Sequence, residues 1–529
     1  MDIVRRLKPL GKYAVASVPS IITAVYYLYI GNQMRSAISL VVMVVTVLVL
    51  MYRDNKRAPN KIDESLVNAT LHMYTISFGE VGPKDLVDVV AHTEEYGYYC
   101  KIFRRIRYIA TELGFGFTRA TARVSDSVRQ PFKDVLVRLI TAFSTNEPKG
   151  YLEIESSTMI EEYSGIYDRG IESLKVLGGV FSTLQSVTIF IVMTLALLTV
   201  FMATPNMIFY SYFISILILI LMFAGIKMVA PSENLIHVGE NAPTMYRAFK
   251  YTLLITAPAS IILALKMLML NRPAYSFFIL GGFMIVPGAF AYMLERRVLL
   301  IDEHYPTFLK SLGGNMASTT SMKISLTSII EMELGPLRGL IRRVLARVKL
   351  GISNKNAFAL MSSESASHQI YIANRIFLDG LNYGGDPLTI GKILGNHVVR
   401  FLEFRKRRKT VAKSFEAIVL IMQPITVALL VLLTFLSGYF SDTLTSLPYF
   451  EFGAIPMDML QTGNVIMVII TSILNALALK EIGGSFWGTF FLNFGIIMML
   501  NGATWMGTEM MVDKFFGSMM PGIGELVPG

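Results

Sequence analysis

Nine almost uncharged apolar runs of 17 to 22 residues leave this chain few ways to fold. A helix of that length crosses a hydrocarbon core of roughly 30 Å. Inside such a core every backbone N–H and C=O must be paired within the chain, which favours helices. The runs are Tyr13–Ile30, Ser36–Tyr52, Leu184–Met202, Ile208–Ile226, Tyr251–Leu270, Tyr275–Leu294, Ala417–Gly438, Gly463–Leu479 and Phe486–Ala503. They hold 170 residues and one formal charge, Lys266, while the other 359 residues carry 85 charges, about 24%. That second figure is the charge density of an ordinary soluble domain. The overall 16% charged and 53% hydrophobic content is therefore a mixture of lipid-embedded and water-facing segments. The single cysteine, Cys100, excludes an intramolecular disulfide framework and a zinc site built on cysteines.

Lys and Arg placement sets the orientation. With the N-terminus cytoplasmic, the inside segments carry 44 of the 48 basic residues, and the outside ones carry only Arg35, Arg272 and Lys514. Lys266 lies near the outer end of its run, where it can snorkel outward. The expectation is a multi-pass protein of the cell membrane with a cytoplasmic N-terminus and an external C-terminus. The apolar run after Arg5 is read as a first span rather than a signal peptide, because it is long and no small-x-small cleavage site follows.

Inside segments 53–183 and 295–416 are too long for loops and large enough for small domains. Ile102, Phe103, Ile106, Ile109, Ala110 and Leu113 share one helical face, as do Leu337, Leu340, Ile341, Val344, Leu345 and Val348. Gly114 and Gly351 follow these helices as stop signals. They stand 237 residues apart, and Tyr13 and Tyr251, which open the first and third hairpins, stand 238 apart. Arg104-Arg105 and Arg342-Arg343 precede the two glycines, and Ala120 and Ala357 follow them. The pattern predicts a tandem, parallel duplication. The expected fold is an all-α polytopic membrane protein of about nine transmembrane helices with two cytoplasmic helical-bundle domains. Its order is a hairpin (1–52), a first cytoplasmic domain (53–183), four spans (184–294), a second, strongly basic domain (295–416), three spans (417–503) and an external tail (504–529).

Catalytic patterns are missing from the sequence. The stretch Gly385 to Ile393 approaches a phosphate-binding loop but has five intervening residues, and Ile393 cannot ligate magnesium. The six histidines form no pair at metal-ligand spacing. No cofactor, metal or enzymatic activity is expected. Among polar residues in the spans, Gln423, Asn475, Asn493 and Asn501 are read as interhelical hydrogen-bonding groups. Pro258, Pro287 and Pro424 are read as tolerated helix irregularities. A transporter is the competing class, but transporters place ionisable groups at the midplane. A receptor would need a sizeable outside domain.

Charge is the sharpest signal. Residues 53–175 have 17 basic and 18 acidic side chains, whereas 295–413 have 19 and 9, a net +10 that equals the net charge of the whole chain. Two clusters dominate: Arg338, Arg342, Arg343, Arg347 and Lys349 on one helix, and Arg405-Lys406-Arg407-Arg408-Lys409 just before the seventh span. The second cluster reads as a topology signal facing anionic lipid or a partner. The first, far from any span in sequence, reads as a docking surface for an acidic protein. Nucleic acid is not an expected partner.

Several stretches resemble the type II secretion F-type platform proteins, and most of all their long archaeal form, the archaellum assembly platforms. In the first domain these are Ser77-Phe-Gly-Glu-Val-Gly-Pro-Lys84, Glu94-Glu-Tyr-Gly97 and Leu152-Glu-Ile-Glu155 leading to Glu161-Glu-Tyr163. In the second they are Leu334-Gly-Pro-Leu337, Leu350-Gly-Ile352 and Gly384-Gly385-Asp386, and near the end Leu474-Asn-Ala-Leu-Ala-Leu-Lys480 with Gly483-Gly484. The resemblance implies a dimeric membrane platform of a pilus-like machine. It also implies a cytosolic hexameric ATPase docked on the cytoplasmic domains, and filament subunits of archaellin or pilin type passed through the membrane part. Where the second copy has Asn382-Tyr-Gly-Gly-Asp386, the first has Asn146-Glu-Pro-Lys-Gly150, so a partner contacting the Gly-Gly-Asp turn would meet one domain only.

Overall fold

In the computed structural model, residues 61–145, 147–202, 206–239, 241–319, 321–445 and 457–517 are described. The two N-terminal runs, the 446–456 segment and the end of the tail lie outside them. The described residues form sixteen α-helices and one short 3-10 turn, Glu94–Tyr96. The first long segment between apolar runs supplies α1 (Glu64–Ile76), α2 (Pro83–Ala91), α3 (Tyr98–Thr111), α4 (Phe117–Ser125) and α5 (Phe132–Ser144). Then come α6 (Lys149–Met202), α7 (Asn206–Val229), α8 (Thr244–Met269) and α9 (Pro273–Thr319). The second segment supplies α10 (Met322–Ile329), α11 (Leu337–Lys349), α12 (Asn354–Ser365) and α13 (His368–Asn382), followed by α14 (Pro387–Thr445), α15 (Met457–Gly483) and α16 (Thr489–Gly517).

Seven of these helices, α6–α9 and α14–α16, are long and apolar enough to cross a membrane, and each holds all or most of one of the seven described runs. Three reach well beyond the bilayer: α6, α9 and α14 have 54, 47 and 59 residues. At 1.5 Å per residue, α14 spans roughly 90 Å. These helices continue without a joint from their apolar stretches into the charged part of the molecule. Pro258, Pro287 and Pro424 sit inside continuous helices, as does Pro306.

Local sequence sets the shorter helices. Asp63 caps α1 by accepting from Leu66 N at 3.0 Å, and Ser353 and Ser367 cap α12 and α13 in the same way. Pro83 opens α2 behind Gly82, whose N–H donates to Asp85 at 3.0 Å. Gly114 and Gly351 take φ of +70° and +83°, the left-handed conformation that ends α3 and α11 at little steric cost.

The duplication is visible in three dimensions. Ala120 and Ala357 are each the fourth residue of the helix after the glycine turn, and both are fully buried. Residues 238 apart touch their own counterparts: Tyr163 stacks on Phe401 with ring centroids 5.5 Å apart, and Gln185 donates to Gln423 at 2.7 Å. Groups that meet their own mates lie on a local twofold axis. Because α6 and α14 run the same way through the membrane, that axis lies along the membrane normal. Around it α6, α7, α14 and α15 pack as a four-helix core, while α8, α9 and α16 pack to one side. Small residues set the α9–α16 approach: a Cβ on Gly281 would lie 2.8 Å from the Gly495 carbonyl oxygen.

The two long segments between the apolar runs share one hydrophobic core, from Ile62 to Tyr167 and from Ile301 to Phe404. The family-like stretches account for part of this union. A Cβ on Gly79 would lie 1.7 Å from the Tyr383 carbonyl oxygen, and one on Gly385 would lie 3.3 Å from the Phe78 Cβ. Ser77-Phe-Gly79 and Tyr383-Gly-Gly-Asp386 are thus pressed against each other. Asp386 accepts from Thr389 N at 2.9 Å and so starts α14. Within the Gly384-Gly385-Asp386 turn, Gly385 is buried where the two copies meet, while Gly384 and Asp386 are exposed.

Candidate functional site

Three features stand out between the cytoplasm and the membrane interior: the basic helix α11, a buried charge cluster at the membrane boundary, and a line of amides inside the bundle.

On α11 the apolar face (Leu337, Leu340, Ile341, Val344, Leu345) is buried and the basic face points outward. The five cations are not equivalent. Arg343 donates to Glu364 of α12 at 2.7 Å, and Arg347 pairs with the same carboxylate. These guanidinium groups hold the Glu364 carboxyl below its usual range, although partial burial opposes them. Arg338, Arg342 and Lys349 are exposed and have no ion-pair partner among the described residues. The free basic surface of α11 is therefore these three side chains, and Arg343 and Arg347 clamp the α11–α12 hairpin.

The second cluster departs further from the sequence reading. Arg405 and Arg408 face inward, with side chains only 7% and 3% exposed. Arg405 bridges Asp302 of α9 at 3.1 Å and Glu233 of the 230–243 connection at 3.3 Å. Arg408 donates to Glu233 at 3.0 Å, to the Pro231 carbonyl at 2.8 Å and to the Ile482 carbonyl at 3.0 Å. Tyr167 of α6 also donates to Glu233. These two buried arginines tie the connection and α9 to α14. Lys406 and Arg407 are exposed, Arg407 beside Asp168 at 3.2 Å, while Lys409 lies 3.5 Å from Glu295. The spacing holds the missed signal: Phe401, Phe404, Arg405 and Arg408 fall on one helical face, and Phe401 and Phe404 are apolar.

Residues 230–239 of this connection run as a strap between the apolar helices and the core of the charged segments. His237 N donates to Ala366 O at 2.9 Å and His368 N to Leu235 O at 3.2 Å, an antiparallel bridge between Ile236 and Ser367. The His237 ring stacks on Tyr371 at 3.9 Å. Beneath the strap lies Glu64, the repeat counterpart of Asp302. Its carboxyl is buried, and loss of solvation pushes it up to about 7 against the nearby Arg405 charge.

Inside the bundle, Gln185 donates to Gln423 and, at 3.2 Å, to Thr426. Gln423 donates to Thr471 and Ser472 at 3.2 Å each. Asn475 donates to Gln185 at 3.0 Å and to Gln423 at 2.7 Å, and Asn501 donates to Ser472 at 2.7 Å. The hydrogen-bonding role expected for Gln423, Asn475 and Asn501 is what their geometry gives. Gln185 was not singled out in the sequence, although its 238-residue offset from Gln423 marks it. Among the described residues no group of histidine, cysteine or carboxylate side chains could hold a metal ion.

Comparison with known proteins gives this arrangement a context. The chain is 24% identical over 439 residues to "Flagella accessory protein J" of Methanocaldococcus jannaschii, covering 78% of each chain. It is 21% identical over 566 residues to the protein of the same name from Methanococcus voltae, covering 98% of this chain and 100% of the relative. These homologues support the resemblance drawn from the sequence. No family model and no solved structure matches the chain.

Proposed function

We propose that this multi-pass membrane protein is the platform of an archaellum assembly machine. In this reading it anchors a cytosolic hexameric ATPase and passes the motion of that motor to filament subunits in the membrane. The observation that carries it is the similarity to two flagella accessory proteins, one matched over 78% and the other over 98% of this chain. Its architecture is suited to the role, because three helices run unbroken from the bilayer into a cytoplasmic core. The motor docks on α11 through Arg338, Arg342 and Lys349, the cations left free of ion pairs. The N-terminus is cytoplasmic and the C-terminus external. Lys406 and Arg407 face anionic lipid. The platform works as a homodimer and handles archaellin-type subunits. A pilus of related design would use the same parts with pilin-like subunits.

Affinity for the purified motor tests the docking. Arg338→Glu, Arg342→Glu and Lys349→Glu together should abolish binding to the chain in nanodiscs, since like-charge contacts across an interface cost several kcal/mol. Unchanged affinity would remove α11 as the docking element. Arg343→Glu is unsuitable as a probe, because it would place a second carboxylate against Glu364.

A further inference from the structure

We propose that the α3–α4 and α11–α12 hairpins together form one bipartite docking surface. Its partner is a cytosolic protein that presents an acidic-rimmed apolar socket at least twice. The inference deepens the platform reading and rests on it for the identity of the partner, the ring-shaped motor.

Charge first pointed to the second copy alone. Counted hairpin by hairpin, the difference disappears. Residues 98–129 carry seven basic and two acidic side chains, and residues 335–366 carry six and one, so each hairpin is +5. The first domain is neutral overall because its acids lie elsewhere, many of them on α6. In α3–α4, Arg104 is held by Glu94 at 3.0 Å and Arg107 by Asp88 at 2.9 Å, which leaves Lys101, Arg119, Arg123 and Arg129 exposed and without ion pairs among the described residues.

Each hairpin carries an apolar pair at its tip. Leu113 and Phe115 flank Gly114, and Leu350 and Ile352 flank Gly351. Leu113 is 52% exposed and Leu350 is 81% exposed. A single exposed leucine needs no explanation. Here the same exposed pair recurs at counterpart positions, each around a left-handed glycine, each ringed by the same excess positive charge. Both turns are open, since a Cβ on Gly114 or Gly351 would meet no atom within 4 Å, and of the two apolar pairs only Phe115 has a cation among the described residues over its ring, Arg123 at 5.2 Å from the centroid.

The chemistry of the occupant follows. An apolar side chain in the middle of a basic patch suits a socket with an apolar floor and a carboxylate rim. The floor removes the leucine from water, and the rim draws in the charges. The local twofold relates α6 to α14, and the two tips occupy counterpart positions in the repeat. One partner centred on that axis, built of identical subunits, meets both with the same socket. The hairpins pack on other cytoplasmic helices, and α11 meets α9 near His304, beyond the apolar run. This favours a protein over the bilayer as occupant.

The test uses the full chain in nanodiscs of neutral lipid, with the purified hexameric motor ATPase as probe. Leu113→Ser and Leu350→Ser should each weaken binding about 10-fold. The double variant should weaken it about 100-fold or more, since linked sites reinforce each other. All three should keep the unsubstituted melting temperature, because the side chains face solvent. Weakening by Leu350→Ser alone, or by neither variant, overturns the bipartite surface while leaving the platform reading in place. An effect seen only in nanodiscs of anionic lipid means that the tips insert into the bilayer, which overturns it too. Failure of the unsubstituted chain to bind the motor overturns the platform reading and this partner together.

Discussion

The two copies place different residues at the same points beside the axis, and their contrast shows what duplication allows. Position 167 in the first copy corresponds to 405 in the second. Both side chains reach Glu233, one as a tyrosine hydroxyl and one as an arginine. Position 64 corresponds to 302. Asp302 is ion-paired and accepts from Ser367, whereas Glu64 is buried with one carboxylate oxygen unpartnered. The second copy therefore holds the strap through an arginine, and the first through a tyrosine hydroxyl that donates to the same carboxylate, beside a Glu64 carboxyl that burial pushes up to about 7. Backbone architecture was copied, while side-chain chemistry at the axis diverged to grip a segment that occurs once.

The largest effect should come from breaking the charged side of this contrast. Arg405→Ala leaves Asp302 and Glu233 buried without their shared cation. It should cost about 3–5 kcal/mol, seen as a steep fall in melting temperature in detergent. A change inside experimental scatter would mean that the strap is not held by charge.

Next comes pH. The Glu64 carboxyl is pushed up to about 7 in the folded chain, above its ordinary value of 4.5. Stability that depends on its proton is complete below the unfolded value and is lost as pH rises through the folded one. The loss is on the order of 3 kcal/mol. Glu64→Gln should flatten the decline of melting temperature between pH 5 and pH 8, with the gain appearing at pH 8. An identical slope in both proteins would place an ionised carboxylate there.

Tyr167→Phe sharpens the comparison from the neutral side. Losing one hydrogen bond to a carboxylate should cost roughly 1.5–3 kcal/mol, less than the loss of Arg405. Equal costs at the two positions would erase the proposed division of labour. The smallest effect belongs to the membrane amides. Gln185→Leu and Gln423→Leu should each cost about 1 kcal/mol, with a coupling of similar size in the double variant. Strict additivity would deny that the two glutamines meet on the axis.

Much of this arrangement was legible in the sequence, and the illegible parts share a cause. The seven described spans were readable because hydrocarbon tolerates so few alternatives. The repeat was readable from Gly114 and Gly351, since a left-handed helix stop strongly favours glycine. The burial of Arg405 and Arg408 was not, because a run of five cations before a span ordinarily marks topology. Their partners, Glu233 and Asp302, lie 172 and 103 residues away from Arg405. The fusion of the two long charged segments was hidden for the same reason: Gly79 meets Tyr383 only after the chain has folded. The matching charge of the two hairpins was present in the sequence but was masked by counting whole domains.

The central claim is that the cytoplasmic hairpins hold a motor. Site-specific photocrosslinking measures this most directly, with the photoreactive residue placed at Arg342 on α11 and at Arg119 on α4, and with Tyr275 at the outer end of α9 as control. The account requires motor crosslinks from both cytoplasmic positions and none from the control. Motor that copurifies with the chain but crosslinks at neither hairpin would contradict it.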